Sequence, residues 1–88
     1  MDKKIQITIT GRVQGVGFRF MACQALAELK LIGSAQNLPD GSVRVYAEGP
    51  EADLERLAQW CHKGPSMAKV EKVEVVDLPA EQALPQVY

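Results

Sequence analysis

Alternating apolar and polar residues open the chain and predict a half-buried strand over residues 4–10. The apolar side of this strand consists of three isoleucines, Ile5, Ile7 and Ile9. Beyond residue 17 the period changes from two to that of a helix, which we expect over residues 18–31. The apolar positions of this helix are Phe18, Ala22, Ala25, Leu26 and Leu29. A glycine-rich segment therefore joins a strand directly to a helix.

The middle of the chain predicts a hairpin. Residues 33–37 form a weaker strand, and residues 38–41 read Leu-Pro-Asp-Gly. Proline pre-sets the first dihedral angle of such a turn, and glycine accepts a positive φ. Residues 42–48 then alternate between two faces. We expect Val43, Val45 and Ala47 to face the core, and Arg44, Tyr46 and Glu48 to face solvent.

A second helix and a fourth strand follow. Gly49-Pro50-Glu51 begins the helix, because proline is tolerated in a first turn and acids favour the helix N-terminus. Its apolar stripe consists of Leu54, Leu57, Ala58 and Cys61, and Gly-Pro at 64–65 ends it. The fourth strand, residues 68–76, places Val70 and Val73 on opposite faces unless a bulge lies near Glu71 and Lys72. Residues 84–88 are expected to add a short edge strand.

The resulting order, β-α-β-β-α-β, predicts an α+β fold in one domain, residues 1–88. Strands with one polar face suit an antiparallel sheet with both helices on the other face. Right-handed crossovers and short connections favour the strand order 4-1-3-2. In that order the strands at 4–10 and 33–37 are parallel, so their C-terminal ends lie at the same sheet edge, about 10 Å apart.

Composition and charge exclude several classes of partner. The formal net charge is −1, so no overall positive field draws the protein to nucleic acid or to an anionic membrane. The polar sheet face offers one aromatic residue, Tyr46, whereas RNA-binding sheets stack bases on several. The sequence contains neither a signal-peptide pattern nor the roughly 18 apolar residues of a membrane span. We therefore expect a cytoplasmic protein.

Few side chains in this sequence could carry metal or nucleophilic chemistry. His62 is the single histidine, and no cluster of residues has metal-ligand spacing, so we expect no metal. Cys23 and Cys61 fall on or beside apolar helical stripes and are expected to pack in the core. A disulfide between them is possible if the two helices are adjacent, but cytosolic disulfides are uncommon. Trp60 is expected to pack rather than to bind a ligand.

The glycine-rich turn, residues 11–19, is the strongest candidate for a binding site. A strand leads into it and a helix leads out, so its backbone N–H groups and the helix dipole can converge on an anion. Arg19 lies in the first helical turn, where a guanidinium can grip two phosphate oxygens. The turn lacks the Gly-Lys-Ser/Thr of a nucleotide P-loop and the third glycine of a dinucleotide fingerprint. Taken alone, the spacing equally allows a turn whose glycines only permit the bend.

Two segments of the chain resemble the signatures of the acylphosphatase family. The first is Gly-Arg-Val-Gln-Gly-Val-Gly-Phe-Arg at residues 11–19. The second is Gly-Ser-Ala-Gln-Asn at residues 33–37, continued by Asp-Gly-Ser-Val at 40–43. Further similar positions are Gly64, Pro65, Ala68, Val70 and Val73. Two positions depart from the family pattern: Ser34 replaces a usual aromatic residue, and Lys30 replaces a usual glycine.

The resemblance implies a ferredoxin-like fold and cofactor-free hydrolysis of the carboxyl–phosphate bond of a small acyl phosphate. It implies that Arg19 binds the phosphate and that Asn37 positions the attacking water. The phosphate-binding residues are then Val13, Gln14, Gly15, Val16, Gly17, Phe18 and Arg19. Inorganic phosphate or sulfate should compete with the substrate, and a monomer is expected. The alternative is a non-catalytic anion-binding or regulatory module on the same fold, because fold alone does not fix function.

Overall fold

The computed structural model describes residues 2–85 and contains the six expected elements in the expected order. They are β1 (Asp2–Arg12), α1 (Phe18–Glu28), β2 (Ile32–Asn37), β3 (Val43–Pro50), α2 (Glu51–Lys63) and β4 (Lys69–Leu78). The sheet has the order β2-β3-β1-β4, which confirms the predicted 4-1-3-2 arrangement read from the other edge. Between residues 2 and 85, no helix is long and apolar enough to cross a membrane.

The strand register brings the ends of β1 and β2 to one edge of the sheet. Both strands pair antiparallel with β3, so they are parallel to each other with β3 between them. Val43 of β3 pairs with Ile9 on one side and with Asn37 on the other. Asn37 is therefore level with Ile9, the last isoleucine of β1. Ile9 comes two residues before the glycine-rich turn begins at Gly11.

One hydrophobic cluster lies between the sheet and the two helices. The sheet contributes the predicted inward positions of β1 and β3, from Ile5 to Ile9 and from Val43 to Ala47. The helices contribute two buried stripes: Phe18, Ala22 and Leu26 from α1, and Leu54, Leu57 and Cys61 from α2. The stripe positions recur every three or four residues, which is the spacing of one helix face.

The predicted bulge in β4 is confirmed at Glu71. Thr10 pairs with Lys72 and Gly11 pairs with Val70, so Glu71 has no partner in the ladder. Gly11 has a φ of 130°, and a β-carbon there would collide with the carbonyl oxygen of Lys69. Only glycine fits this approach. The bulge lies at the point where β1 enters the glycine-rich turn.

Helix α1 ends at Glu28, three residues before the predicted end at Leu31. Lys30 adopts the left-handed conformation with a φ of 58°. The N–H of Leu31 then donates to the carbonyl of Leu26, and the N–H of Lys30 donates to Ala27. This is the Schellman arrangement that satisfies the last helical carbonyls. The periodicity continued to Leu31 because that side chain also enters the core.

The polar face of the sheet was predicted to be solvated, but it is partly covered, and Tyr46 on this face is only 7% exposed. Lys4 Nζ donates to the carbonyls of Ala80 and Gln82, and Ser34 Oγ donates to the carbonyl of Pro85. The segment after β4 therefore crosses this face from β1 towards β2. Residues 84–85 form no strand, and residues 86–88 of the predicted edge strand lie outside the described residues.

Candidate active site

The glycine-rich turn is held to the core by its apolar side chains. Val13 and Phe18 are each 1% exposed, and Val16 packs partly buried against the core. The Phe18 ring packs edge to face with Trp60 at 5.3 Å between ring centroids, which confirms the packing role of Trp60. Gly64 borders the same ring so closely that a β-carbon there would meet it. These anchors fix the turn while its two inner glycines stay exposed.

The backbone of the turn offers free hydrogen-bond donors. Gly15 and Gly17 have φ values of 75° and 79°, which side-chain-bearing residues rarely adopt. Within residues 2–85, none of the N–H groups of residues 13–17 donates to a protein acceptor, and the first helical bond runs from Met21 to Gly17. Consecutive unpaired donors beside a helix N-terminus suit a phosphate group.

Gln14 joins the glycine-rich turn to the turn between β2 and β3. Its Nε2 donates to the carbonyl of Leu38 at 2.7 Å and to that of Ser42 at 2.9 Å. Asp40 closes the second turn, accepting from the backbone N–H of Ser42 at 3.0 Å and from its hydroxyl at 2.6 Å. These two bonds lower the pKa of the Asp40 carboxyl below its usual value. The segment that follows Asn37 is thus tied to the glycine-rich turn.

Arg19 and Asn37 line the same cleft, a space of about 460 Å³. This volume is within the range of small-molecule sites. The lining residues are Val13, Gly15, Gly17, Phe18, Arg19, Phe20, Cys23, Ala35 and Asn37. Both Arg19 and Asn37 are exposed, and no side-chain hydrogen bond or ion pair within residues 2–85 engages either side chain. Gln14 and Val16, also predicted to bind phosphate, are not among the lining residues.

The cysteine prediction was wrong for Cys23 and right for Cys61. Cys61 is fully buried, and burial raises the pKa of its thiol from 9.0 to about 12. Cys23 is exposed and lines the cleft, and both thiols are free. The buried stripe of α1 runs through Ala22, and a helix turns about 100° per residue. Cys23 therefore faces sideways from that stripe.

Sequence reasoning also missed Phe20 and Ala35 as lining residues. A weak signal for Phe20 exists in the sequence, since an aromatic residue directly after Arg19 lies off the apolar stripe of α1. His62 is exposed at the end of α2 and is not among the cleft-lining residues. No group of three or more His, Cys, Asp or Glu side chains able to hold a metal ion occurs in the described part of the chain.

Comparison with known proteins identifies the family. The acylphosphatase family model matches residues 5–86. An acylphosphatase of Marinobacter nauticus is 45% identical over 76 residues, which are 86% of this chain and 83% of that protein. The crystal structure of acylphosphatase from Bacillus subtilis is 34% identical, with a TM-score of 0.85 over 100% of both chains. The structure of an acylphosphatase from Coxiella burnetii is 33% identical, with a TM-score of 0.87 over 93% of this chain and 86% of that one. The chain therefore belongs to the acylphosphatase family, with its ferredoxin-like fold, and is a hydrolase of acyl phosphates.

Proposed function

We propose that the glycine-rich turn and Arg19 hold the phosphoryl group of the acyl phosphate while Asn37 positions the attacking water. One observation carries the proposal: Arg19 and Asn37, eighteen residues apart in sequence, line one cleft with the glycine-rich turn, and within residues 2–85 the N–H groups of residues 13–17 donate to no protein acceptor. The products are a carboxylate and inorganic phosphate. The proposal takes the substrate to be a small molecule and the enzyme to act as a cytoplasmic monomer.

The sparse chemistry of this cleft suits an acyl phosphate. Water attacks phosphorus, the bond from phosphorus to the acyl oxygen breaks, and the electron pair leaves on a carboxylate. The conjugate acid of that leaving group has a pKa of about 4, so no protein acid is needed. Phosphate monoesters are among the slowest compounds to hydrolyse and would require stronger assistance.

Positioning and charge stabilisation then account for the catalysis. The guanidinium of Arg19 and the backbone N–H groups meet the negative charge on the phosphoryl oxygens, which is how phosphoryl transfer is usually assisted. The amide of Asn37 orients the water at phosphorus. The phosphoryl group of the substrate itself accepts the proton of that water, because the cleft-lining residues in the described part of the chain include no carboxylate or histidine.

A non-catalytic anion-binding module is the rival function. Such a module would need the turn and Arg19, but simple phosphate binding gives no role to a second side chain that holds water. Asn37 lies at the matching edge of the sheet and lines the same cleft. Its position therefore favours the enzyme.

Kinetics of two variants test the roles of Arg19 and Asn37. Arg19→Ala should weaken inorganic phosphate binding and lower kcat/KM together, by about 10³-fold. Arg19→Lys should recover little, because an ammonium lacks the planar two-pronged grip. Asn37→Ala should lower kcat by about 10²-fold with little change in the inhibition constant for phosphate, since it acts mainly in the transition state.

Two variants serve as matched controls, one at an arginine of the other helix and one at the residue next to Asn37. Arg56→Ala changes an exposed arginine of α2 whose ion pair with Asp53 lies at the surface, and Gln36→Ala changes the residue before Asn37. Both should keep kcat/KM within about twofold, as surface substitutions usually do. A normal kcat in Asn37→Ala would contradict the water-positioning role of Asn37. Normal phosphate binding in Arg19→Ala would contradict the proposed anion site.

A further inference from the structure

The cleft has a polar end and an apolar wall. The glycine-rich turn, Arg19 and Asn37 form the polar end. The wall consists of Phe20 and Cys23 from α1 and Ala35 from β2. Phe20 is 68% exposed, whereas Ala35 is 5% exposed and belongs to the core. Cys23 follows Arg19 by one turn of α1, and Ala35 precedes Asn37 by two residues of β2. Each therefore lies on the same face of its element as Arg19 or Asn37, but farther from the glycine-rich turn.

The charges of the lining point to the kind of group that this wall accepts. Arg19 is the one charged side chain that lines the cleft within residues 2–85, and it contacts the phosphoryl group in the proposed complex. A charged substituent on the acyl group would therefore find no partner on the wall and would lose part of its hydration. A flat apolar substituent would instead bury part of the exposed Phe20 ring, and aromatic pairs add stability beyond that burial.

We propose that Phe20 and Cys23, with Ala35 behind them, form the acyl-group subsite of this enzyme, and that it prefers aromatic or other neutral apolar acyl groups. The inference rests on the proposed function, because the phosphoryl group in the glycine-rich turn fixes where the acyl group begins. Phe20 acts here as a specificity-determining residue that contacts the substituent rather than the reacting phosphorus.

The first test compares benzoyl phosphate with acetyl phosphate. Phe20→Ala should lower the ratio of kcat/KM for benzoyl phosphate to that for acetyl phosphate by about 3- to 10-fold, the loss expected for one aromatic contact. The inhibition constant of inorganic phosphate should stay unchanged. The matched control is Met21→Ala, since Met21 is also an exposed apolar residue of α1 but does not line the cleft. It should leave the ratio at the wild-type value.

The second test uses the thiol of Cys23 as a handle inside the subsite. Iodoacetamide should modify Cys23 alone, because Cys61 is buried and its thiol keeps its proton. The added amide group narrows the cleft beside the apolar wall. Alkylation should therefore lower kcat/KM for benzoyl phosphate by a larger factor than kcat/KM for acetyl phosphate. Treatment of Cys23→Ser with the same reagent should change neither rate.

The outcomes separate the subsite from the proposed function. If the untreated enzyme hydrolyses both substrates but Phe20→Ala and Cys23 alkylation change the two kcat/KM values by equal factors, the acyl subsite is refuted while the phosphate site stands. If the untreated enzyme hydrolyses neither acyl phosphate, the proposed function itself fails. A preference for benzoyl phosphate that Phe20→Ala and Cys23 alkylation both reduce supports the subsite.

Discussion

Lys30 occupies a backbone conformation that favours glycine. Its φ of 58° lies in the left-handed region, at the position where α1 ends and the chain turns back to bury Leu31. The left-handed conformation costs a residue with a β-carbon about 1–2 kcal/mol. Glycine avoids this cost, but its greater freedom in the unfolded chain offsets part of the gain. Lys30→Gly should therefore raise the free energy of unfolding by about 1 kcal/mol or less.

Urea unfolding of the Lys30 variants checks this effect. Lys30→Ala is the matched control, because alanine removes the long side chain but retains the β-carbon. It should unfold at the same urea concentration as the wild type, whereas Lys30→Gly should need more urea. Equal stabilisation in both variants would show that the lysine side chain, and not the backbone conformation, sets the cost.

Individual residues of the candidate site could be predicted to lie together where a motif and a topology agree. Arg19 and Asn37 were placed at one edge by the strand order, and the structure brings them to one cleft. Cys23 was misplaced, because periodicity indicates the centre of a buried stripe but not its width. Ala22 is fully buried and Cys23, the next residue, is exposed. The width depends on how closely α1 packs on β2, which is a tertiary property.

At the scale of elements, the pairing of turns determines how the site is assembled. Gln14 Nε2 bonds two carbonyls of the turn after β2, so it sets the position of that turn relative to the glycine-rich turn. Gln14→Ala should therefore separate Asn37 from the proposed phosphate site and lower kcat by about tenfold or more, since small misplacements are costly in catalysis. The inhibition constant of phosphate should change less than kcat, because the N–H groups of the turn remain.

The donor is the critical part of this link, and Gln14→Glu tests it. Glutamate has nearly the same shape as glutamine, but its carboxylate only accepts hydrogen bonds and cannot bond the two carbonyls. Gln14→Glu should therefore lose as much kcat as Gln14→Ala, with circular dichroism unchanged in both. Wild-type kcat in Gln14→Glu would mean that the glutamine serves only to fill space.

Element order and the bulge were predictable because both follow from local patterns. Val70 and Val73 are three residues apart, so they can share a face only if a bulge inserts one residue between them. Glu71 is that residue, because it has no partner in the ladder. The segment after β4 was not predictable in the same way. Its position depends on bonds from Lys4 and Ser34, residues more than fifty positions away, to backbone carbonyls that have no sequence signature. These bonds place the segment across the sheet face that holds Tyr46, a residue expected in solvent and found buried.

At the scale of the whole molecule, burial of Cys61 links stability to alkaline pH. Desolvation raises the pKa of this thiol to about 12 in the folded protein, while the unfolded chain retains the usual value of 9.0. Below pH 9 both states hold the proton and stability does not depend on this group. Between pH 9 and pH 12 the unfolded state loses the proton first, so this group lowers the free energy of unfolding as pH rises, by at most about 1.4 kcal/mol per pH unit.

Comparison with Cys61→Ala isolates this contribution from other groups that titrate at high pH. Alanine lacks the titrating thiol, so the variant does not lose this contribution. As pH rises above 9, the free energy of unfolding of the wild type should fall relative to that of the variant. Reductant keeps both cysteines free during the measurement. A difference that stays constant from pH 8 to pH 11 would contradict the buried, protonated thiol.

Anion binding to the folded protein should also stabilise the molecule as a whole. A ligand that binds only the folded state adds RT ln(1 + [L]/Kd), which is about 1.4 kcal/mol at ten times Kd. For a domain of this size, that free energy corresponds to a rise in Tm of roughly 5–10 °C. Inorganic phosphate or sulfate should produce this rise, and sodium chloride at equal ionic strength should not, because chloride cannot use several donors of the turn at once.

Arg19→Ala is the variant that assigns the rise in Tm to the proposed site. Arg19 is exposed and makes no ion pair within residues 2–85, so its removal should leave the Tm in chloride close to that of the wild type. The phosphate-dependent rise should largely disappear in this variant, because the guanidinium supplies the charge and the two-pronged contact. Arg56→Ala should retain the full rise. An equal phosphate response in Arg19→Ala and the wild type would place the anion somewhere other than the glycine-rich turn.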